Sequence, residues 1–195
     1  MFVLASKSPR RKELLEQAGI TIDKIVKPEI NETQLKNELP IAYVTRMSMA
    51  KSKVIEKSET DFVLTADTIV IRGNKVLGKP TSLAMASKYL KLLSGRRHRV
   101  VTSVCLAHKN RIKVRNVVTI VKMKQLSNFE ISNYLDTYEW QGKAGGYAIQ
   151  GNASKFIPFI SGSYTNVVGL PLTETINLLV GNGFIIKNNV IPFNE

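Results

Sequence analysis

The stretch FVLASKSPRRKELLEQAGI, residues 2–20, reads as a strand that turns directly into a helix. The apolar run Phe2–Ala5 predicts a short buried strand. A helix is expected next, because Ser8 suits the N-cap position and Pro9 suits the first helical position. Gly19 then provides the stop signal at the other end. The stretch therefore predicts a strand–loop–helix unit, the opening of an α/β protein.

Two arginines, Arg10 and Arg11, occupy the first turn of this predicted helix. That turn carries partial positive charge, so cations there cost stability and an acidic residue is the ordinary choice. One interpretation is that both arginines point into solvent or pair with the following glutamates, Glu13 and Glu16. The other is that a bound phosphate meets the guanidinium groups, the Ser6 and Ser8 hydroxyls and the free N–H groups of the helix.

Strand and helix patterns alternate along the rest of the chain, and no repeat or Gly/Ser-rich linker interrupts them. Helices are predicted from about Pro40 to Lys57, within residues 82–95, after Ser127 with Glu130 in capping-box positions, and from about Leu172 to Val180. Strands are predicted at 62–71, 99–108 and 111–123, with turns at Arg72–Lys75 and Lys109–Asn110. The pattern predicts a single mixed α/β domain spanning residues 1–195, with antiparallel pairing at the hairpins.

The composition excludes several classes of protein. The single cysteine, Cys105, excludes an intrachain disulfide framework and fits the cytoplasm. No apolar run approaches the length of a membrane span, and the apolar start is too short for a signal peptide. The only histidines, His98 and His108, provide no zinc-binding pattern. The 28 basic and 15 acidic residues give a net charge of +13, which favours polyanionic partners such as nucleic acids, anionic membranes or phosphorylated small molecules.

Asp67 breaks the pattern of its own strand. FVLTADTIVI, residues 62–71, is a nearly continuous apolar and β-branched run, typical of a strand buried on both faces. A carboxylate within it must be paired, protonated or bound to a cation, because an unpartnered buried charge is costly. A structural aspartate that accepts backbone hydrogen bonds at a bend is the alternative. We favour a metal ligand or a general base.

Lys51 breaks the pattern of the helix that begins at Pro40. Val44, Met47 and Val54 form an apolar stripe on this helix, and Lys51 takes the vacant position of that stripe. Its ammonium is therefore expected to face inward, although a lysine can also extend along apolar surface to reach water.

Three further polar residues carry weaker signals. Lys79 precedes a proline in a loop, which forces an extended conformation. Glu32 lies in a polar loop, and its surroundings in the sequence are those of an ordinary solvated surface residue. Gln150 lies between glycines that allow a ligand to approach closely, and its amide suits the edge of a nucleobase.

Taken together, these stretches resemble the Maf family, the septum-formation-inhibitor-like nucleoside triphosphate pyrophosphatases. The resemblance extends from Leu4 to about Leu179 and rests on the order and spacing of several motifs. They are LASKSPRRKELL, INET, YVTRMSMAKSK, ADTIV, LGKP, SGRRHRVVTSV, GKAGGYAIQG and GSYTNVVGLPL.

The resemblance implies a mixed twisted sheet with flanking helices, arranged as two lobes around a central cleft, as in inosine-triphosphate pyrophosphatases. It also implies a homodimer that hydrolyses nucleoside triphosphates in the cytoplasm with a divalent cation, Mg²⁺ or Mn²⁺. No membrane and no specific nucleic acid is expected as a partner. Asp67 matches the proton acceptor of the family, and Glu32 joins Asp67 on the metal side. The phosphate-facing positions correspond to Ser8, Arg10, Arg11, Lys51 and Lys79.

The resemblance also points to one branch of the family. Arg11, Thr68 and Gln150 match the positions tied to base selection in the branch acting on dTTP and UTP, with CTP and modified pyrimidine nucleotides as further candidates. The branch that prefers 7-methyl-GTP differs in the AGGYAIQG segment and has an acidic residue in place of Gln150. Two alternatives stay open: 7-methyl-GTP hydrolysis on the same fold, and a basic nucleic-acid-binding or cell-division regulator without turnover.

Overall fold

The sheet is the framework of the protein, whose computed structural model describes residues 1–186. Its strands run in the order β2-β1-β3-β5-β6-β7, and β4 pairs with β3. β1 is parallel to β2 and β3, whereas the other pairs are antiparallel. The strands are β1 (Phe2–Ala5), β2 (Lys24–Val26), β3 (Phe62–Arg72), β4 (Lys75–Leu77), β5 (Arg97–His108), β6 (Arg111–Lys122) and β7 (Phe159–Ser161).

Helices cover both faces of this mixed sheet. They are α1 (Pro9–Gln17), α2 (Pro40–Lys53), α3 (Leu83–Leu93), α4 (Asn128–Leu135), α5 (Tyr164–Val168) and α6 (Leu172–Val180), with short 3-10 helices at Ala144–Gly146 and Asn152–Phe156. Across residues 1–186, no helix combines the length and the apolar character that crossing a membrane requires. The prediction of a mixed α/β fold is confirmed.

Most of the predicted elements occur close to where the sequence places them. The capping box of Ser127 and Glu130 is present at the start of α4. The second helix is shorter than predicted, since α2 ends at Lys53 rather than near Lys57. Val54 is therefore not part of an inward-facing stripe: it lies at the C-cap and is exposed. Val44, Met47 and Lys51 of that stripe are buried as predicted.

The side chains of β3 alternate between two cores. Leu64, Ala66 and Val70 pack into the larger core. Ile69 and Ile71 face the opposite way and pack with Val44 of α2. This alternation is the ordinary two-residue period of a strand, so consecutive residues of β3 face opposite sides of the sheet.

One edge of β3 is shared by two short strands with a gap between them. β1 pairs with Phe62–Thr65, and β4 pairs with Val70–Arg72. Neither strand pairs with residues 66–69, which contain Asp67 and Thr68. Backbone groups and side chains of both faces are therefore accessible at this one place, and the cleft of the protein opens here.

Candidate active site

All nine residues singled out from the sequence line one cleft, whose volume is about 1040 Å³. The sheet gap provides Asp67 and Thr68, the start of α1 provides Ser8, Arg10 and Arg11, and α2 provides Lys51. Loops provide the others, namely Glu32, Lys79 and Gln150. The structure thus brings together residues that are up to 142 positions apart in the chain (150 − 8).

Arg11 is buried and bound to the protein itself. Its Nε donates to the Gly169 carbonyl at 2.8 Å, and its Nη1 donates to the Ala66 carbonyl at 2.7 Å and to Ser6 Oγ at 3.0 Å. Its Nη2 donates to Thr68 Oγ1 at 3.1 Å. The Ala66 carbonyl lies in the segment of β3 that pairs with β5 but with neither β1 nor β4, so the guanidinium provides a donor where no strand does. Burial lowers the pKa of Arg11, and the charge of Asp67 partly offsets this effect.

Arg10 and Ser8 have fewer protein partners. Ser8 is the N-cap residue of α1, but its side chain makes no capping hydrogen bond. Arg10 is half-buried, and its Nε is a buried donor without an acceptor in the described part of the chain. Burial lowers the pKa of Arg10, whereas Glu13 opposes the shift. Within residues 1–186 no hydrogen bond occupies the Ser8 hydroxyl or Arg10 Nε, so both groups at this helix start are available to an anion.

Lys51 links the two carboxylates of the cleft. Its Nζ lies 2.5 Å from Asp67 Oδ1 and 2.9 Å from Glu32 Oε1, and its side chain is only 9% exposed. Lys79 Nζ lies 3.8 Å from the other oxygen of Glu32. Burial alone would raise the pKa of Glu32, but the hydrogen bond and charge of Lys51, with the charges of Lys79 and Lys7, bring it below the ordinary value. Asp67 is therefore paired with a cation, one of the alternatives that its buried position required.

Glu32 is held in place by α2. The Tyr43 hydroxyl donates to the Glu32 carbonyl at 2.8 Å, and Arg46 Nη2 donates to the Thr33 carbonyl at 3.0 Å. Arg46 also forms a two-pronged ion pair with Glu38, at 2.6 and 2.7 Å. The sequence suggests only a surface charge at Arg46, because this contact depends on how the loop folds back.

Thr68 is supported from the next strand. Its hydroxyl lies 2.9 Å from the Thr102 hydroxyl, which also donates to the Asn166 carbonyl at 3.3 Å. Asn166 is fully buried and its amide donates to Thr119 Oγ1 at 2.9 Å. This chain of hydrogen bonds fixes the Thr68 side chain at the floor of the cleft.

The glycine-rich segment forms another wall of the cleft. Gly145 has a positive φ of 72°, and a Cβ on it would lie 2.9 Å from Val70 of β3, so only glycine fits. Its N–H donates to the Gly78 carbonyl at 3.0 Å, which joins this wall to the loop that carries Lys79. Gln150 is exposed and lines the same wall.

Sequence reasoning missed other polar residues of the cleft, among them Lys7, Lys143 and Tyr147. Neither lysine interrupts an apolar pattern, so no local signal marks it. Tyr147 is buried, with its hydroxyl 2.7 Å from His98 Nε2. Its ring forms part of the wall, and only the fold shows this.

The carboxylates fit a divalent cation that shares its coordination with a substrate. Asp67 and Glu32 both lie within 3 Å of Lys51 Nζ, so their oxygens converge on one small volume. Within residues 1–186 there is no group of three or more His, Cys, Asp or Glu side chains that could hold a metal ion. Magnesium is commonly held by one or two carboxylates together with water and phosphate oxygens, so this donor set is compatible with it.

Comparison with known proteins gives consistent results. The model of a family described as Maf-like protein matches residues 1–181. A dTTP/UTP pyrophosphatase of Roseobacter denitrificans is 53% identical over 184 residues, which cover 94% of this chain and 98% of that protein. A nucleoside triphosphate pyrophosphatase of Ehrlichia canis is 46% identical over 179 residues, covering 91% and 93% respectively.

A solved structure shares the fold at low sequence identity. It is that of a HAM1 protein from Coxiella burnetii, with a TM-score of 0.51 and 15% identity. The match covers 92% of this chain and 98% of the other. At this identity the likeness concerns the fold alone, and it agrees with the mixed α/β architecture described above.

Proposed function

The chain belongs to the Maf-like protein family, and from this premise we propose that it hydrolyses dTTP and UTP to the nucleoside monophosphate and diphosphate. CTP and modified pyrimidine nucleotides are further candidate substrates, and the cytoplasm is the proposed location. The relatives of Roseobacter denitrificans and Ruegeria carry the name dTTP/UTP pyrophosphatase at 53% and 51% identity. The observation that carries the proposal is the Lys51-bridged pair of Asp67 and Glu32 inside a cleft rimmed by cations.

The two sides of the cleft suit the two ends of a nucleotide. Most of the basic side chains and the start of α1 surround the carboxylates, where they can neutralise a triphosphate. Gln150 lies in the glycine-rich wall, where an amide with two donors and an acceptor can read a pyrimidine edge. The residues proposed for the phosphate side are Ser8, Arg10, Lys51 and Lys79, with Lys7 beside them.

The proposed reaction is attack of water on the α-phosphorus. A bond forms from the water oxygen to phosphorus, the bond to the bridging oxygen of the β-phosphate breaks, and diphosphate leaves. Asp67 takes the proton of the attacking water, because it is the carboxylate fixed in the rigid sheet. Lys51 and Arg10 stabilise the negative charge that develops on the leaving group.

Asp67 and Glu32 would hold a divalent cation, Mg²⁺ or Mn²⁺, together with phosphate oxygens. When bound, such a cation supplies positive charge that polarises the phosphoryl group. Lys51 has to release at least one carboxylate oxygen for this, and the phosphates offer its ammonium new partners. We expect chelation with EDTA to abolish diphosphate release and added Mg²⁺ or Mn²⁺ to restore it.

A nucleotide panel tests the proposed function. The protein is incubated with dTTP, UTP, CTP and 7-methyl-GTP in the presence of Mg²⁺ or Mn²⁺, and diphosphate and orthophosphate are measured separately. Diphosphate release that is fastest with dTTP and UTP is the expected result. Dominant hydrolysis of 7-methyl-GTP would move the protein to the other branch. Salt-sensitive DNA binding without any hydrolysis would favour the nucleic-acid-binding alternative.

The variant Asp67→Asn tests the assigned proton acceptor. We expect turnover to fall by roughly a thousandfold or more, because an amide cannot take the proton from water. The protein should stay folded and should still bind UTP through the basic side chains of the cleft, as measured by calorimetry. Near-native turnover would remove Asp67 from the mechanism.

We also propose a homodimer, and one exposed apolar face is available for it. Ile112, Val118 and Ile120 lie on the same face of β6 and are 40%, 44% and 39% exposed. Phe159 of β7 continues the face. Light scattering should give twice the chain mass for the native protein and the chain mass for Val118→Lys. A monomeric native protein would refute the dimer.

A further inference from the structure

Glu139 is a half-buried residue that the sequence analysis does not single out. Its Oε2 accepts a hydrogen bond from the Asn152 backbone N–H at 2.7 Å, and its Oε1 accepts one from Asn152 Nδ2 at 2.6 Å. Asn152 begins the short 3-10 helix at Asn152–Phe156. Both oxygens of Glu139 are therefore engaged with the residue two positions after Gln150.

Gly151 makes this arrangement possible. A Cβ on Gly151 would lie 2.2 Å from Glu139 Oε2 and 2.7 Å from its Cδ. The carboxylate thus occupies the space that any side chain at position 151 would need. The glycine next to Gln150 is explained by the close approach of Glu139, as well as by any approach of a ligand.

Glu139 is itself held on a rigid turn. The next residue, Trp140, is buried, and its Nε1 donates to the Leu135 carbonyl at 3.1 Å. The Glu139 N–H donates to Thr137 Oγ1 at 3.3 Å. The carboxylate is therefore fixed relative to the end of α4, which packs in the main core.

A second anchor holds the other side of the Gln150 segment. The Ala148 N–H donates to the hydroxyl of Tyr134, a buried residue of α4, at 2.9 Å. Gln150 lies between the anchors at Ala148 and Asn152, with its side chain exposed in the cleft. The backbone that carries the amide is thus fixed from both sides, while the amide itself stays accessible to a ligand.

Glu139 also acts on a cation of the cleft. Burial lowers the pKa of Lys143, and the neighbouring charge of Arg10 lowers it further, whereas Glu139 opposes both effects. Lys143 Nζ donates to the Gln141 carbonyl at 3.1 Å and lies on the same wall as Gln150. The charge of Glu139 therefore favours the protonated form of Lys143.

We infer that Glu139 is a positioning residue that sets pyrimidine selectivity by holding the segment that presents Gln150. The inference rests on the proposed function and deepens it. An amide discriminates between base edges only when its donor and acceptor are held in register with them, because a mismatch leaves buried polar groups unpaired. Loss of the Glu139 contacts lets the segment move, so UTP and CTP are distinguished less well.

The first experiment measures the segment without any nucleotide. Hydrogen exchange of residues 148–156 is compared between the native protein, Glu139→Ala and the conservative Glu139→Gln. We expect exchange of Asn152 and its neighbours to be roughly tenfold faster in Glu139→Ala, since one net hydrogen bond of about 1.4 kcal/mol corresponds to that factor. Glu139→Gln, which keeps an acceptor oxygen, should lie between the other two. Unchanged exchange in Glu139→Ala overturns the inference.

The second experiment measures selectivity as the ratio of kcat/KM for UTP to that for CTP. In Glu139→Ala we expect this ratio to fall by roughly fivefold to tenfold, mainly through KM for UTP. In a Gln150→Ala background the same change should have little further effect on the ratio, because the two residues act through one contact. Equal losses for all nucleotides, or full additivity with Gln150→Ala, would indicate a merely structural role and overturn the inference.

Glu130→Ala is the matched control. Like Glu139, Glu130 accepts a hydrogen bond from a backbone N–H at a helix start, from Ser127 at 2.9 Å, but Ser127 is not part of the segment that carries Gln150. We expect Glu130→Ala to lower stability without changing the ratio of kcat/KM for UTP to that for CTP.

The failure of the proposed function and the failure of this inference give different results. If the native protein hydrolyses none of the nucleotides, both the proposed function and the inference fail. If only the inference fails, the native protein still hydrolyses UTP.

Discussion

The two neighbouring arginines of α1 have different environments although the sequence presents them as a pair. Arg11 points to the sheet and donates hydrogen bonds to groups on β3, on the first loop and at the end of α5. Arg10 lies in the cleft with a buried Nε that has no acceptor within residues 1–186. Adjacent helical residues differ by about 100° in direction, which is enough to send one inward and the other to the cleft.

Substitution separates the contributions of the two arginines. Arg11→Ala should lower the free energy of unfolding by about 3 kcal/mol, because buried carbonyls lose a charged donor. Arg10→Ala should cost less than about 1 kcal/mol in stability but raise KM for UTP by roughly tenfold, since a phosphate loses its charged partner. Urea unfolding and steady-state kinetics on both variants measure the contrast. Equal stability losses in the two variants would contradict it.

His98 makes the stability of the protein dependent on pH. Burial, reinforced by the charge of Arg72, lowers the pKa of His98 from 6.5 to about 4. Between these values the unfolded chain binds a proton that the folded protein does not, so folding is disfavoured as the pH falls. The contribution is complete above pH 6.5 and declines towards about pH 4.

Urea unfolding at pH 7 and pH 5 measures this effect. The native protein should lose up to about 1.4 kcal/mol of stability per pH unit through His98. His98→Gln, which keeps a polar group near Tyr147, should lose less between the same two pH values. Identical losses in both proteins would rule out His98 as the source.

At the scale of elements, α2 organises the acidic side of the cleft. It carries Lys51 towards Asp67 on one side, and it holds the Glu32 loop with Tyr43 and Arg46 on the other. The Arg46 hydrogen bond is the main reason why the pKa of Glu38 is lowered to about 2, so this pair persists throughout the neutral range. One helix thus sets the distance between the two carboxylates.

Arg46→Lys tests the role of this loop. Lysine keeps the charge but cannot form the two-pronged contact, so the loop that carries Glu32 should loosen. We expect faster hydrogen exchange in residues 31–38 and a roughly tenfold lower kcat/KM, which corresponds to about 1.4 kcal/mol. The control Lys12→Met breaks an exposed pair with Glu16 on α1 and should change neither quantity. Faster exchange with unchanged kinetics would show that the loop position is unimportant.

At the scale of the whole molecule, the net charge of +13 raises the rate at which anionic substrates reach the cleft. A strongly basic protein with a basic cleft attracts polyphosphates over distances set by the salt concentration. We expect kcat/KM for UTP to fall several-fold as KCl rises to about 0.5 M at constant free Mg²⁺, while kcat changes little. Stopped-flow or initial-rate measurements at low substrate concentration show this directly. A flat salt profile would mean that the surface charge has no part in substrate capture.

Much of the fold could be predicted because its signals are local. Ser127 and Glu130 mark the start of α4, and Lys109–Asn110 marks the turn between β5 and β6, where these residues contact near neighbours in sequence. The end of α2 was less predictable. Val54 is apolar and continues the repeating pattern, but α2 ends at Lys53, so the pattern overestimated the length of the helix.

The sequence by itself determined which side chains depart from the pattern of their own element. They are an aspartate within an apolar strand, a lysine within an apolar helix face, and arginines at a helix start. These are conflicts between a residue and its neighbours, so they are visible along the chain. Tertiary structure alone decided that Asp67 and Thr68, which face opposite sides of the sheet, line the same cleft. They do so because β1 and β4 share one edge of β3 and pair with neither residue, and strand pairing between distant segments leaves no mark on the local sequence.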